Sequence, residues 1–299
     1  MAIDRADDGD APARLPERPA ADVDRASPLD AGESAAEHAR YRERVENFGA
    51  ATDALPLALP GMRAALERHL EQYPERERPT PQTKPDGSWV ASGDRELNPE
   101  QNAEASKACV DIRAEGKEVI LPALQRIEAA DPERQLAGLE HMLKGEDRLK
   151  EKIADELTAK PWLSVRQALD TVADAVRFTL RYDPDRYADG VRADVERLKA
   201  EGFELIQMKN LWTGDQYKGV NSQWSRSETG SRFEVQFHTS ESLEAKELTH
   251  KAYERIRSRE VSSIERRELE EFQRRVNALI LSPLHADEIK DFRRVRDER

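Results

Sequence analysis

The sequence predicts an α/β (α+β) protein: a small mixed sheet of four to five strands with flanking helices, preceded by a helical and partly disordered N-terminal region. Three observations lead there. Hydrophobic residues make up 37% of the 299 and charged residues 36%, with only 6% aromatic, which is too polar for one large packed body. Apolar spacing is helical up to about residue 160, turns to strand-like alternation between 175 and 238, and then becomes helical again. Clusters of Gly, Asp and Ser separate the alternating runs, as turns require.

Taken in order, residues 1–35 are rich in Ala, Asp, Pro and Arg without periodicity and read as disordered. Residues 36–73 read as helical, through "AEHARYRERVENFGAATDAL" and, after Pro60, "GMRAALERHLEQY". The stretch 74–101, dense in Pro and polar residues, reads as a linker. A compact domain over 102–285 follows. Its first part is helical, with Ile120, Leu124 and Ile127 forming one apolar stripe. Then "AVRFTLRY" (175–182) reads as a strand, and "DPDRYADGVRADVERLKAEG" as a helix ending at Gly202. "FELIQMKN" (203–210), "YKGVNSQW" (217–224) and "SRFEVQFH" (231–238) read as three more strands, the last two joined through the turn "SRSETG". Helices resume from "SLEAKELTHKAYERIRS", and 286–299 form a charged tail. The order is helices, β-α-β-β-β, helices.

A formal net charge of −12 argues against a broad electrostatic grip on nucleic acid but leaves room for a local basic pocket. Cys109 is the only cysteine, so no intrachain disulfide can form, and in a helical segment it reads as packing. No run of about 18 apolar residues occurs, so neither a transmembrane span nor a membrane partner is expected. The N-terminus "MAIDRADDGDAPARL" has no apolar core of a secretory signal. The expected site of action is cytoplasmic, and any export would use a specialised route without a cleaved signal peptide.

Four stretches could carry chemistry. In "SRFEVQFHTSES", Phe233, Val235 and Phe237 share one strand face, while Arg232, Glu234, Gln236 and His238 share the other. A solvated face more often carries Arg, Lys or Thr than an acid, an amide and an imidazole in a row. Thr239 and Ser240 then suit a helix N-cap. In "LKGEDRLKEKIADEL", Lys144, Arg148 and Lys152 fall at i, i+4 and i+8, a basic stripe opposite Met142, Leu149, Ile153 and Leu157. Interleaved Glu146, Asp147, Glu151 and Asp155 also allow a salt-bridged surface. In "DTVADAVRFTLRY", Asp174 at a strand edge can hold Mg²⁺ through oxygen and Arg177 can clamp phosphate. In "MKNLWTGDQYKGVNSQW", Lys209 ends one strand, Tyr217, Lys218 and Asn221 open the next, and Gly219 permits a close approach or marks a bulge.

Lys144, Leu149 and Lys152, then Arg177, "YKGVNS" and "FEVQFHT", together resemble the RelA/SpoT-type nucleotide pyrophosphokinase (alarmone synthetase) domain, in the manner of a short, synthetase-only, toxin-like member. The resemblance covers about residues 140–260 in the family's element order, and Glu234-x-Gln236-x-x-Thr239 is its most specific part. It implies a nucleotidyltransferase-like synthetase fold. The implied activity is transfer of the β,γ-pyrophosphate of ATP to the 3′-hydroxyl of an acceptor nucleotide (GDP/GTP or ADP/ATP/AMP). Asp174 and Glu234 would be catalytic and hold Mg²⁺, and Lys144, Arg148, Lys152 and Arg177 would bind ATP. Lys209, Tyr217, Lys218, Asn221, Gln236 and His238 would bind the acceptor. Gly145 and Arg148 replace two Ser of the family's basic helix, and His238 stands in place of an Arg. Val172 stands where the metal-binding Asp is expected, leaving Asp174 or Asp170 for that role. Val220 occupies the base-stacking Tyr position, for which Tyr217 or Trp224 could substitute. No His-Asp dipeptide occurs, so alarmone hydrolysis is not expected. A toxin would also have an immunity or antitoxin partner. The alternatives are pyrophosphorylation of the tRNA 3′ end and a non-catalytic helical interaction protein with a degenerate fold. An ADP-ribosyltransferase, raised by "RSETGSRFEV", ranks below both.

Overall fold

A computed structural model of the chain describes Ala39 and residues 55–74, 79–257 and 261–294. The expected disorder of residues 1–35 lies outside them, as do the last five residues of the expected tail. Helix α1 (Leu55–Gln72) runs through Pro60, whose missing N–H removes one hydrogen bond near the helix start. No helix among the described residues is long and apolar enough to cross a membrane.

The stretch expected to be a linker holds structure of its own. Strands β1 (Gln82–Thr83), β2 (Trp89–Ala91) and β3 (Arg95–Leu97) form an antiparallel three-stranded sheet, with Trp89 and Leu97 buried. Strands of two and three residues are too short to show alternation among the prolines around them. Asn98 then caps helix α2 (Pro99–Glu115) with a capping box to Gln101. A single π-helical turn (Gly116–Ile120) leads into α3 (Leu121–Ala129), and Ile120, Leu124 and Ile127 are all buried, as their spacing requires. Cys109 is buried as well, and burial pushes its thiol up to about 11.

The main sheet has six strands rather than four or five. β4 (Arg134–Ala137), β5 (Arg177–Tyr182), β6 (Phe203–Asn210), β7 (Val220–Arg226), β8 (Arg232–Thr239) and β9 (Phe292–Arg293) lie in the order β4-β5-β8-β7-β6-β9. Only β5 and β8 run parallel. The two additions are the outer strands. β9 comes from the stretch expected to be a charged tail, where Ala286 and Ile289 are buried and Phe292–Arg293 pair with β6.

Between these strands lie α4 (Glu146–Ala159), α5 (Val165–Asp170) and α6 (Tyr187–Ala200). After β8 come α7 (Ser240–Ile256) and α8 (Ser263–Ala278). One sheet face is apolar, with Phe178, Leu180, Phe233, Val235, Phe237, Val220 and Trp224 all buried. Each large side chain buried there contributes about 1.5–3 kcal/mol. Helix α6 covers this face, approaching so closely at Gly190 that a Cβ there would sit 2.6 Å from the Tyr182 ring. Register puts Arg177, Thr179, Glu234, Gln236, Asn221 and Gln223 together on the opposite face. A β-bulge between Leu205 and Gln207 extends that row. Leu205 pairs with Trp224 on the apolar side, but Gln207 and Lys209 pair with Gln223 and Asn221 on the polar side.

Candidate active site

The polar row of β8 is not a solvated face: Glu234, Gln236 and His238 are all buried. The reason is local. Thr239 ends β8 and caps α7, its hydroxyl accepting from the Ser242 N–H while the Ser242 hydroxyl accepts from the Thr239 N–H. The capped helix brings Ser242 onto the His238 ring and Lys246 near Glu234 and Arg177.

Asp174 gathers the cations. It lies in a short 3₁₀ turn (Ala173–Ala175) immediately before β5. Its Oδ1 accepts from Lys152 Nζ at 2.6 Å, and its Oδ2 faces Lys144 Nζ at 3.2 Å and Arg177 Nη2 at 3.3 Å. That same Arg177 nitrogen is 3.5 Å from Glu234 Oε2, while Glu234 Oε1 accepts from Gln236 Nε2. Burial raises the proton affinity of Asp174. The Lys152 ammonium hydrogen-bonded to it, with Lys144 and Arg177, outweighs that and holds its carboxyl below the ordinary range. Lys144 is lowered by burial and by the neighbouring cations, against the pull of Asp174. Three cations therefore surround two carboxylates, leaving the cluster net positive.

The expected basic stripe on one helix is not how this cluster forms. Lys144 precedes α4, which is flanked by Gly145, and follows Leu143, which is bridged to Val176 just before β5. Its N–H donates to the Ala175 carbonyl, and the Arg177 N–H donates to the Met142 carbonyl. Arg148 is on α4 but turns outward to Glu151 and Glu254 at 3.1 and 3.7 Å, apart from Asp174. The interleaved acids anticipated this: a pairing partner three residues away competes for an exposed guanidinium. Asp170 also lies apart, paired with Arg166 at 3.1 Å, so Asp174 is the acid among the cations.

On the acceptor side of the expectation, Tyr217, Asn221 and His238 come together. The Tyr217 hydroxyl donates to Asn221 Oδ1 at 2.8 Å and lies 2.7 Å from His238 Nε2. His238 Nδ1 is 2.9 Å from Ser242 Oγ, and the fully buried ring is held neutral, since burial and then Lys246 lower its proton affinity. His238 is thus packed behind Tyr217 rather than presented on an open surface. Gly219 explains the fit: at φ +149° it lies against the imidazole, and a Cβ there would be 2.8 Å from His238 Cε1. Lys218 donates to the Trp212 carbonyl at 2.7 Å, and Lys209 is exposed at the far end of the polar row. Trp224 cannot stack on a ligand from this face. It is fully buried on the apolar side, with its indole N–H given to Ser222, and Val220 is buried there too.

The pattern reading missed Lys246 and His250. Both lie on α7, spaced i and i+4, and burial lowers the proton affinity of both. That spacing was visible in "SESLEAKELTHK", but nothing local says which sheet face the helix covers.

Asp174 and Glu234 suit a hard divalent cation. Both carboxylates lie within 3.5 Å of one guanidinium nitrogen, so a positive charge already occupies the point where their oxygens converge. Two carboxylates with phosphate oxygens completing the shell is how Mg²⁺ is commonly bound.

No protein-family profile matches the chain, and no curated protein matches it in sequence. Solved structures do. The chain is similar to the small alarmone synthetase 1 from Bacillus subtilis, at 12% identity over 59% of this chain and 92% of that one, with a TM-score of 0.40. It is similar to a GTP pyrophosphokinase family protein from Streptococcus pneumoniae, at 16% identity over 61% of this chain and 90% of that one (TM-score 0.41). It is also similar to smu.1046c from Streptococcus mutans UA159, at 16% identity over 56% and 87% of the two chains (TM-score 0.39).

Proposed function

We propose that the polar sheet face is the active site of an ATP-dependent nucleotide pyrophosphokinase of the RelA/SpoT type. The observation that carries this reading is the convergence of Lys144, Lys152 and Arg177 on Asp174, next to Glu234. A net positive cluster beside two carboxylates suits a polyphosphate that arrives with a divalent cation.

In the proposed reaction the acceptor's ribose hydroxyl oxygen bonds to the β-phosphorus of ATP. The bond between that phosphorus and the oxygen bridging it to the α-phosphate breaks, and AMP leaves with the electron pair. Glu234 takes the hydroxyl proton. Lys144, Lys152 and Arg177 neutralise the triphosphate, so catalysis is chiefly positioning and charge compensation. Asp174 and Glu234 would hold Mg²⁺, which would supply further neutralisation of the ATP phosphate charge. Gln236 and Asn221 would orient the acceptor. Tyr217 is the aromatic left to contact a base, since Trp224 is buried on the other face.

The acceptor is proposed to be a guanine or adenine nucleotide, with the tRNA 3′ end as the alternative. A toxin or effector role, with its immunity partner, belongs to the same proposal and rests on analogy between the N-terminal half of the sequence and the delivery or neutralisation region of short synthetase-only toxins. Glu234→Gln keeps the side-chain shape and removes the charge. The expected outcome is a loss of product of at least about a hundredfold, in the range typical of a general base. Product formed at the wild-type rate would refute the assignment.

A further inference from the structure

The lysines near the candidate site differ in how their charge is met. Lys144 and Lys152 each have the Asp174 carboxylate at 3.2 and 2.6 Å, and Lys150 has Glu146 at 2.9 Å. Lys246, half-buried one turn after Ser242 on α7, has no hydrogen bond or ion pair at its ammonium among the described residues. An ammonium partly withdrawn from water without a partner costs free energy. Its neighbours do not remove that cost. Arg177 on β5 repels it, and Glu234 on β8 and Glu247 on its own helix attract it without reaching ion-pair distance. His238 on β8 and His250 on α7 also feel its field. Burial first, then Arg177, brings the ammonium down to about 8. In the same β8 row, Gln236 is 3% exposed and gives its amide N–H to Glu234, while its Oε1 has no partner among the described residues. An unmatched donor near Glu234 and Arg177 and an unmatched acceptor on the residue bonded to Glu234 thus share one carboxylate as neighbour, whereas Lys144 and Lys152 are already paired with Asp174.

We propose that Lys246 binds a phosphate of the acceptor nucleotide, leaving Lys144 and Lys152 to hold the donor triphosphate. This rests on the pyrophosphokinase reading above. Gln236 Oε1 would accept from a ribose hydroxyl of the same acceptor. The competing explanation is a lysine whose stem packs on the sheet while its head reaches for solvent.

The test compares wild type, Lys246→Met and Lys246→Arg in steady-state kinetics, with a nucleoside diphosphate and the matching nucleoside as acceptors. The expected result for Lys246→Met is an acceptor KM raised about tenfold or more for the diphosphate, with the KM for ATP within about twofold. The nucleoside should be insensitive to the substitution, and Lys246→Arg should restore most of the loss. An unchanged acceptor KM, an increase confined to ATP, or equal losses with diphosphate and nucleoside would each overturn the proposal. If wild type turns over no acceptor, the pyrophosphokinase reading falls, and Lys246 is judged by equilibrium binding of the same ligands. There, weaker binding of the diphosphate alone supports it and equal binding overturns it. Thermal melting of the apo-protein controls for folding. Lys246→Met should be at least as stable as wild type at pH 7, with its advantage shrinking as pH rises from about 8 to about 10.5, where wild-type Lys246 is neutral in the folded chain but still charged in the unfolded one.

Discussion

Replacing Asp174 by Asn separates stability from chemistry. The substitution keeps the shape but leaves Lys144, Lys152 and Arg177 facing one another without their shared anion. A fully buried pair broken this way costs about 3–5 kcal/mol. Here Asp174 is 19% exposed and its partners 23%, 37% and 30%, so solvent screens part of the interaction. A loss of about 2 kcal/mol follows, or about 4–8 °C in Tm for a body of this size. Added salt should narrow the difference by screening the cations. Acid should narrow it too. The folded-state pKa of Asp174 is depressed, so its contribution is present above the unfolded carboxylate range and is lost as pH falls through the folded value. Binding of metal-free ATP should be no weaker than in wild type, because the cations lose their competing anion, while turnover falls at least about a hundredfold. Melting curves at pH 7 and pH 3, with calorimetric titration of ATP, measure all of this. Equal melting temperatures for the two proteins at pH 7 would refute the reasoning.

Two further substitutions probe the geometry. Gly219→Ala should destabilise by about 2–4 kcal/mol in urea unfolding, because φ +149° strains an L-residue and the new methyl meets the pinned His238 ring at 2.8 Å and the Phe237 carbonyl oxygen at 3.0 Å. A cost under about 0.5 kcal/mol would mean the imidazole is not fixed there. Arg148→Ala should leave turnover within about twofold, since Arg148 is 57% exposed and paired away from Asp174. A large loss of ATP affinity would return it to the site.

Much of the sheet was legible because its strands are long enough to show their period. "FELIQMKN" is β6 residue for residue, and "SRFEVQFH" lies within one residue of β8 at each end. The strand read as 217–224 starts at Val220 instead, because Gly219 turns the chain against His238 before pairing begins. The outer strand β9 and the small sheet over 82–97 are too short to carry a pattern, and the small sheet is fixed by distant contacts. Trp89 donates to Asp147 at 3.0 Å and Arg95 grips Asp155 with two hydrogen bonds, both partners lying on α4. The residue types of the site were readable, but the device that assembles them was not. Helical spacing put Lys144, Arg148 and Lys152 on one stripe. The folded chain joins Lys144 and Lys152 through Asp174, which no periodicity could indicate. Lys246 escaped for a related reason: its importance depends on which face α7 covers, and that follows from the turn at Thr239.

The most direct test of the central claim follows the β-phosphate. Wild-type protein is incubated with ATP labelled at that position and with GDP, ADP, AMP or tRNA in separate reactions. The account predicts that label appears on one class of acceptor as a pyrophosphoryl group, with one AMP released for each product formed. Absence of transfer to every acceptor, or release of ADP in place of AMP, would contradict it.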